Sequence, residues 1–367
     1  MNLNRVHCWK SLVNWYEIMI NILIVDDSMT ETIILKNLFE MEDDFRVIGC
    51  AQNGKEAIEM VARLKPDLIT MDILMPIMDG LEATQKIMSQ HPTPIVVISS
   101  KLDDREINTT FQALEAGALS VLEKPKGISS PNFHSSRKNI VNTVRAMSEI
   151  KVIKRRFPDK KSHQSNIIST NNALKEYELI AIGASVGGPQ VLKKILSNLP
   201  ADFPIPILIV QHMTPGFING FTQWLNENVP LRVKNAEHQE ELRRGAVYFA
   251  PDHFHLEVTR VRKKLVANLV KSNPVSGFCP SATVLLNSVA KVCKENAIGI
   301  LLTGMGSDGA QGLWELKKVH GHTLIQDPKS TVVFGMAGVA QSLGAVDKVI
   351  EIDQFADYLL KITKKYD

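Results

Sequence analysis

Apolar runs along this chain end repeatedly on residues that can do chemistry. Asp26 and Asp27 follow the run Ile22 to Val25, and Asp72 follows Leu68 to Met71. If those runs are neighbouring strands of a parallel sheet, the three carboxylates converge on one rim. Hard oxygen donors so close together repel one another unless a cation such as Mg²⁺ joins them. A single aspartate after a strand is more often a turn or helix cap. Here Ser99 ends a fourth run and Lys124 a fifth, which adds a hydroxyl and an ammonium to the same rim. A carboxylate nucleophile, a metal, a hydroxyl and an ammonium together can receive and hold a phosphoryl group.

A second set lies in the C-terminal half. Ser185 stands in Ile182-Gly183-Ala184-Ser185-Val186-Gly187-Gly188-Pro189, before a helical stretch from Gln190 to Leu199. This fits G-x-S-x-G, in which a sharp strand-to-helix turn exposes the serine. Taken alone it could equally be a glycine-rich turn that packs a helix on a sheet. A dinucleotide fingerprint is excluded, because it needs glycine where Ser185 stands. Serine attacks only when a neighbouring base takes its proton. His212 follows the run Pro206 to Val210, and Asp308 lies in the loop after Ile298 to Leu302. Alone, that histidine is more often structural, and the glycine-rich loop could bind phosphate or simply turn. Together the three strand ends suit acyl transfer. His212 is expected to take the Ser185 proton, Asp308 to hold the imidazole, and backbone N–H groups of Gly304 to Gly306 to receive the oxyanion. The order Ser, His, Asp disfavours a standard α/β-hydrolase, whose order is Ser, Asp, His.

Regular elements must hold these residues in place. The strands Ile22 to Val25, Phe45 to Ala51, Leu68 to Met71, Ile95 to Ile98 and Ala118 to Leu122 alternate with helical patterns at Thr30 to Phe39, Gly54 to Leu64, Gly80 to Ser89 and Arg105 to Glu115. That alternation predicts a five-stranded, parallel, doubly wound sheet, with ligands beyond the carboxyl ends of its strands. Ser136 to Arg156 reads as an amphipathic helix, and the polar stretch after Phe157 reads as a linker. A second α/β alternation begins at Leu179, interrupted by a hairpin-like insertion made of Ala246 to Ala250 and His255 to Val258.

Composition bounds the classes. The 367 residues carry 42 Lys and Arg against 39 Asp and Glu, and the net of +3 is a cancellation. Residues 21–127 hold 10 basic and 18 acidic side chains, a net of −8, whereas residues 128–176 hold 10 and 3, a net of +7. Two or three domains are therefore expected rather than one evenly charged body. Apolar content of 44% excludes a mainly disordered chain. Cys8, Cys50, Cys279 and Cys293 have no paired short spacing, which excludes a zinc ribbon or disulfide scaffold and points to a reducing cytoplasm. No run approaches the roughly 18 apolar residues of a membrane span. Residues 1–19 do not read as a signal peptide, and Met19 makes them a candidate mis-assigned start.

The first constellation resembles the receiver domain of bacterial response regulators. The matching residues are Asp26-Asp27, Asp72 with Met75-Pro76-Ile77-Met78-Asp79-Gly80, Ser99, and Lys124-Pro125. The resemblance implies that Asp72 is the phosphoacceptor, with Mg²⁺ held by Asp26, Asp27 and Asp72. It also implies that Lys124 contacts the phosphoryl group and Ser99 senses it. The whole chain after residue 20 resembles the CheB family of chemotaxis methylesterases and glutamine deamidases. The further matches are Gly183-Ala184-Ser185-x-Gly187-Gly188, Gln211-His212-Met213-x-Pro215-Gly216-Phe217, Gly304-Met305-Gly306-x-Asp308-Gly309 and Thr331-Val332-Val333-Phe334-Gly335-Met336.

That resemblance implies Ser185, His212 and Asp308 as the triad, with the Met305 amide at the oxyanion and no cofactor in the esterase site. It implies a receiver over residues 20–140, a connecting helix and basic linker over 141–176, and a doubly wound α/β methylesterase domain over 177–367. Two departures stand out. Val186 replaces a threonine, and Gly277-Phe278-Cys279-Pro280-Ser281-Ala282-Thr283 replaces a segment usually written His-x-Pro-Ser-Val-Asp. Phe278 and Thr283 are expected to remove polar groups from the substrate side of the pocket.

The implied partners are methyl-accepting chemoreceptors as substrates and a chemotaxis histidine kinase as phosphodonor. No nucleic acid and no membrane insertion are expected, and the enzyme is expected to be a cytoplasmic monomer. Phosphorylation of Asp72 is expected to uncover Ser185. Two rivals remain at this stage, a receiver-controlled binding module whose Ser185 loop is only structural, and a phospho-gated esterase of another substrate. The +7 stretch invites a nucleic-acid reading, but its charges are scattered and no recognition-helix pattern accompanies them.

Overall fold

Runs of four to seven residues rich in Ile, Val and Leu become buried strands, and the amphipathic stretches between them become helices. In a computed structural model of the chain, residues 19–99, 104–125, 133–150, 152 and 176–363 are described. The first unit alternates β1 (Ile20–Val25), α1 (Met29–Glu40), β2 (Phe45–Ala51), α2 (Gly54–Leu64), β3 (Leu68–Met71), α3 (Gly80–Gln90), β4 (Ile95–Ser99), α4 (Asp104–Ala116), β5 (Ser120–Glu123) and α5 (Phe133–Ser148). The helices start where short polar side chains can satisfy free N–H groups. Ser28 Oγ accepts from the Glu31 amide, Asn53 from Glu56, and Asp79 from Glu82. All five strands are parallel, in the order β2-β1-β3-β4-β5, so β1 and β3 are neighbours as the aspartate pattern requires.

Two expectations about the middle of the chain change. The amphipathic helix ends at Ser148, well short of Arg156, and residues 153–175, with the expected linker, lie outside the described residues. The boundary drawn at residue 140 falls inside α5. Val141, Val144 and Met147 pack with Ile22, Ile24 and Val96, so the second half of this helix is still core of the first unit.

The second unit runs β6 (Leu179–Ala184), α6 (Gly188–Leu196), β7 (Ile207–Gln211), α7 (Ile218–Asn228), β8 (Arg232–Asn235), β9 (Ala246–Phe249), β10 (His255–Val261), β11 (Lys264–Val270), α8 (Ala282–Val292), β12 (Ala297–Leu301), α9 (Ala310–Lys318), β13 (His322–Gln326), α10 (Met336–Ser342), β14 (Lys348–Ile350) and α11 (Phe355–Thr363). Seven parallel strands form its sheet, in the order β14-β13-β12-β6-β7-β9-β8. Strands after β6 go first to one side and then, from β12, to the other. The crevice at this reversal is where such sheets bind ligands.

The expected hairpin insertion is wrong in its pairing. Ala246–Phe249 is a fully buried parallel strand of the main sheet, bonded to β7 and β8, because Val247 and Phe249 on one face and Ala246 and Tyr248 on the other all meet core. The hairpin is instead β10 with β11, antiparallel and joined at Arg262 and Lys263, both at positive φ.

The two units meet along α4, α6 and α7. Phe111 of α4 is fully buried, with its ring centroid 5.3 Å from Phe221 and 5.6 Å from Trp224 of α7. Gln190 of α6 donates to the carbonyls of Leu114 and Ala118, and Lys193 pairs with Glu115. Removing a buried phenyl leaves a cavity and costs about 3–5 kcal/mol. Phe111→Ala is therefore expected to lower the urea midpoint and to separate the unfolding of the two units into distinct transitions. A loss under about 1 kcal/mol would refute this anchoring role.

Candidate active site and acidic pocket

β12, β6 and β7 lie side by side, and Asp308, Ser185 and His212 follow their carboxyl ends. Ser185 leaves β6 at a turn in which its N–H donates to Thr303 O at 3.0 Å and its carbonyl accepts from Gly188. Gln211, buried at the end of β7, donates through Nε2 to the carbonyls of Ser185 and His212, each at 2.8 Å. One amide thus ties the backbones of the candidate nucleophile and base together. The sequence reading named Gln211 in a matching motif but gave it no role, although a polar residue closing an apolar run was a visible signal.

His212 Nε2 lies 2.9 Å from Asp308 Oδ2, and its Nδ1 is buried with no hydrogen-bond partner. Nδ1 is therefore the nitrogen left for a serine proton. Ser185, His212 and Met305 all line one cleft of about 640 Å³. Asp308 is fully buried behind them. The start of α8 holds it, with Ser281 Oγ donating at 2.7 Å, the Ala282 amide at 2.7 Å and the Thr283 amide at 3.1 Å. Burial alone would push this carboxyl up, but the hydrogen bonds from His212, Ser281 and Thr283 and the field of His212 outweigh it. The carboxyl is held down at about 2. An ionised Asp308 fixes the proton of His212 on Nε2 and leaves Nδ1 as acceptor.

Thr283 corrects an expectation. It is buried, and its hydroxyl accepts from the Gly309 amide at 2.7 Å. The threonine keeps a buried polar group at its position and uses it to fix the loop after Asp308. The oxyanion loop is also narrower than expected, because the Gly304 N–H is taken by Val333 O at 3.0 Å. A side chain on Gly304 would come within 2.7 Å of Ser185 Cβ, so the glycine lets this loop lie directly against the serine. The Met305 amide is the next donor along it.

In the first unit, Asp26, Asp27 and Asp72 bring one carboxylate oxygen each within 4.8 Å of one another. Lys124 Nζ bridges Asp26 at 2.8 Å and Asp72 at 3.0 Å. Ser99 is buried at the end of β4, and its carbonyl accepts from the Lys124 amide at 2.7 Å. Glu31, which the sequence reading missed, is a fourth acid near this pocket. Burial pushes its carboxyl up, against the pull of Lys124. Burial likewise pushes Asp72 up, Lys124 pulls it down, Asp26 adds repulsion, and the result is about 6. The set is all oxygen and short of positive charge, which suits a divalent cation such as Mg²⁺.

Fold and sites define a class, an α/β enzyme with serine, histidine and aspartate at adjacent strand ends, joined to an acidic receiver. Residues 180–359 match the CheB methylesterase family and residues 22–130 the response regulator receiver domain. A protein-glutamate methylesterase/protein-glutamine glutaminase of Syntrophus aciditrophicus is 44% identical, over 94% of this chain and 98% of that one. One from Methanospirillum hungatei is 43% identical, over 89% and 93%. The crystal structure of the Thermotoga maritima CheB methylesterase catalytic domain is 36% identical, covering 51% of this chain and 99% of that one, with a TM-score of 0.50. The chain belongs to the CheB methylesterase family.

The Asp72 shift carries a pH prediction. A carboxyl raised from 3.8 to about 6 favours its neutral form in the folded state. Its contribution is full below about pH 4 and is lost as pH rises through 6. Without divalent cations, Asp72→Asn is expected to be more stable than wild type by about 3 kcal/mol at pH 8, with the gap closing by pH 4. Thermal melts in chelator check this, and added Mg²⁺ should stabilise wild type more than the variant.

Proposed function

We propose that this chain is a phosphorylation-gated hydrolase that demethylates glutamate methyl esters on chemoreceptors and deamidates particular glutamines. The carrying observation is His212, its side chain 7% exposed, bonded to Asp308 through Nε2, with Nδ1 unpartnered in the cleft that Ser185 lines. The relatives named for both reactions support the substrate class. In this reading Nδ1 takes the Ser185 proton as Oγ attacks the γ-acyl carbon. The Met305 amide receives the oxyanion, a role in which a single donor is worth about 3 kcal/mol of barrier. As the acyl carbon's bond to the leaving oxygen or nitrogen breaks, Nδ1 gives that atom the proton, so that methanol or ammonia departs, and water hydrolyses the acyl-serine by the same path. No step requires a cofactor at this site.

The contacts between the units support gating. β5 and α5 of the receiver form one wall of the Ser185 cleft, through Ser120, Val121, Asn139, Asn142 and Thr143 among others. Thr214, two residues after His212, donates to Val121 O at 2.9 Å. Lys124, three residues after Val121, holds Asp72. An acyl phosphate on Asp72 adds negative charge, with which Lys124 pairs and which Ser99 senses. Asp26, Asp27 and Asp72 would hold Mg²⁺, which supplies positive charge to the phosphoryl oxygens. The end of β5 is thereby drawn toward the phosphoryl group and away from Thr214, so phosphorylation favours the open cleft through contacts the closed state lacks.

A chemotaxis histidine kinase is the phosphodonor in this reading, and the enzyme works as a cytoplasmic monomer without nucleic acid or membrane insertion. No described helix is long and apolar enough to cross a membrane.

Methanol release from methylated receptor membranes is expected to rise on adding a small phosphodonor, and to fall at least about 10³-fold in Ser185→Ala. Methanol release that survives Ser185→Ala would overturn the reading. Gln190→Ala, which removes the bonds to Leu114 and Ala118, is expected to raise the rate without phosphodonor about fivefold. An unchanged basal rate in that variant would count against gating by this interface.

A further inference from the structure

The segment between β11 and α8 does more than fix Asp308. Val275 and Phe278 exchange both backbone hydrogen bonds at 3.0 Å, closing a two-residue turn in which Ser276 and Gly277 take φ of 54° and 84°. Such a turn needs positive φ at both central residues, and Gly277 supplies the second without strain. The turn lays the Phe278 ring on the His212 imidazole, with centroids 3.8 Å apart and planes within 3° of parallel. Aromatic pairs usually sit offset or edge-on at roughly 4.5–7 Å. This overlap is closer and flatter than packing alone selects. The His212 side chain is left only 7% exposed.

The stack has two consequences for the reaction. First, Asp308 holds one edge of the imidazole and Phe278 covers one face, so the ring cannot turn Nδ1 away from the cleft. Second, Nδ1 must hand its proton to the leaving group, which therefore has to approach a base covered by a phenyl ring. Val186, Met213 and Cys279 line the same cleft with further apolar surface. A departing O–CH₃ group can rest its methyl on such a wall. An NH₂ group meets it with N–H donors that carbon cannot satisfy, and sites discriminate strongly against polar groups left unpaired.

We propose that Phe278 is a positioning and specificity residue, clamping His212 and biasing the site toward γ-glutamyl methyl esters over glutamine amides. The inference rests on the esterase reading above and names the substrate that the same site prefers.

The test uses the full-length protein and one chemoreceptor cytoplasmic fragment in two forms, carrying a γ-glutamyl methyl ester or a glutamine at the same position. Methanol and ammonia release give kcat and KM for each. Phe278→His, which puts a polar edge on the wall, is expected to raise amide turnover relative to ester about tenfold. Phe278→Leu, apolar but without a flat ring, should lower kcat for both substrates about tenfold with KM little changed. Phe278→Tyr keeps the ring and should retain the ester kcat within about twofold. An ester-to-amide ratio unmoved in Phe278→His, or a wild-type kcat in Phe278→Leu, overturns the role of Phe278 while Ser185-dependent turnover leaves the esterase reading standing. If wild type releases neither product in a Ser185-dependent way, both fall.

Discussion

A carboxylate as completely buried as Asp308 persists only if donors replace the water it has lost. Four do so, from His212, Ser281, Ala282 and Thr283. Much of the second unit is arranged to deliver them. β12 and β7 must flank β6 so that Asp308 and His212 meet, and Ser281 must cap α8 so that the helix's first amides point at the charge. Helix N-termini favour anions, so the same arrangement that caps α8 also stabilises the carboxylate. The turn that leads into α8 then carries Phe278 onto the other partner of that carboxylate.

Asp72 makes the opposite case with the same side chain. Both aspartates follow a parallel strand, and both are buried. Asp308 is surrounded by donors and held down at about 2, whereas Asp72 faces Asp26 across a single shared lysine and is pushed up to about 6. The first environment is complete as it stands and suits a group that must stay ionised and orient a base. The second is short of positive charge, which is the condition under which a cation and then a phosphoryl group are welcome.

The acidic pocket and the serine cleft share β5. Val121 takes a hydrogen bond from Thr214 beside the cleft, and Lys124 reaches Asp72 a few residues on. In the gating proposed above, this strand is the element that links the two sites. Phe111, packed against Phe221 and Trp224, anchors α4 of the receiver on the second unit.

From sequence alone, the strand ends were legible in both units, because a buried parallel strand must be an apolar run and the residue that breaks it stands at the rim. That was enough to place Asp26, Asp27, Asp72, Ser99, Lys124, Ser185, His212 and Asp308 at the rims of the two sheets. It was not enough to assign Ala246–Phe249, since a short apolar run fits a hairpin as well as a central parallel strand and only its neighbours decide. Nor could sequence reveal that Thr283 braces Gly309, that Gly304 spends its amide on Val333, or that His212 offers Nδ1 rather than Nε2. Those are decisions about direction, made by elements far apart in the chain. A residue's type fixes what chemistry it can do, but which atom it turns to the cleft depends on packing that exists only once the sheet is closed.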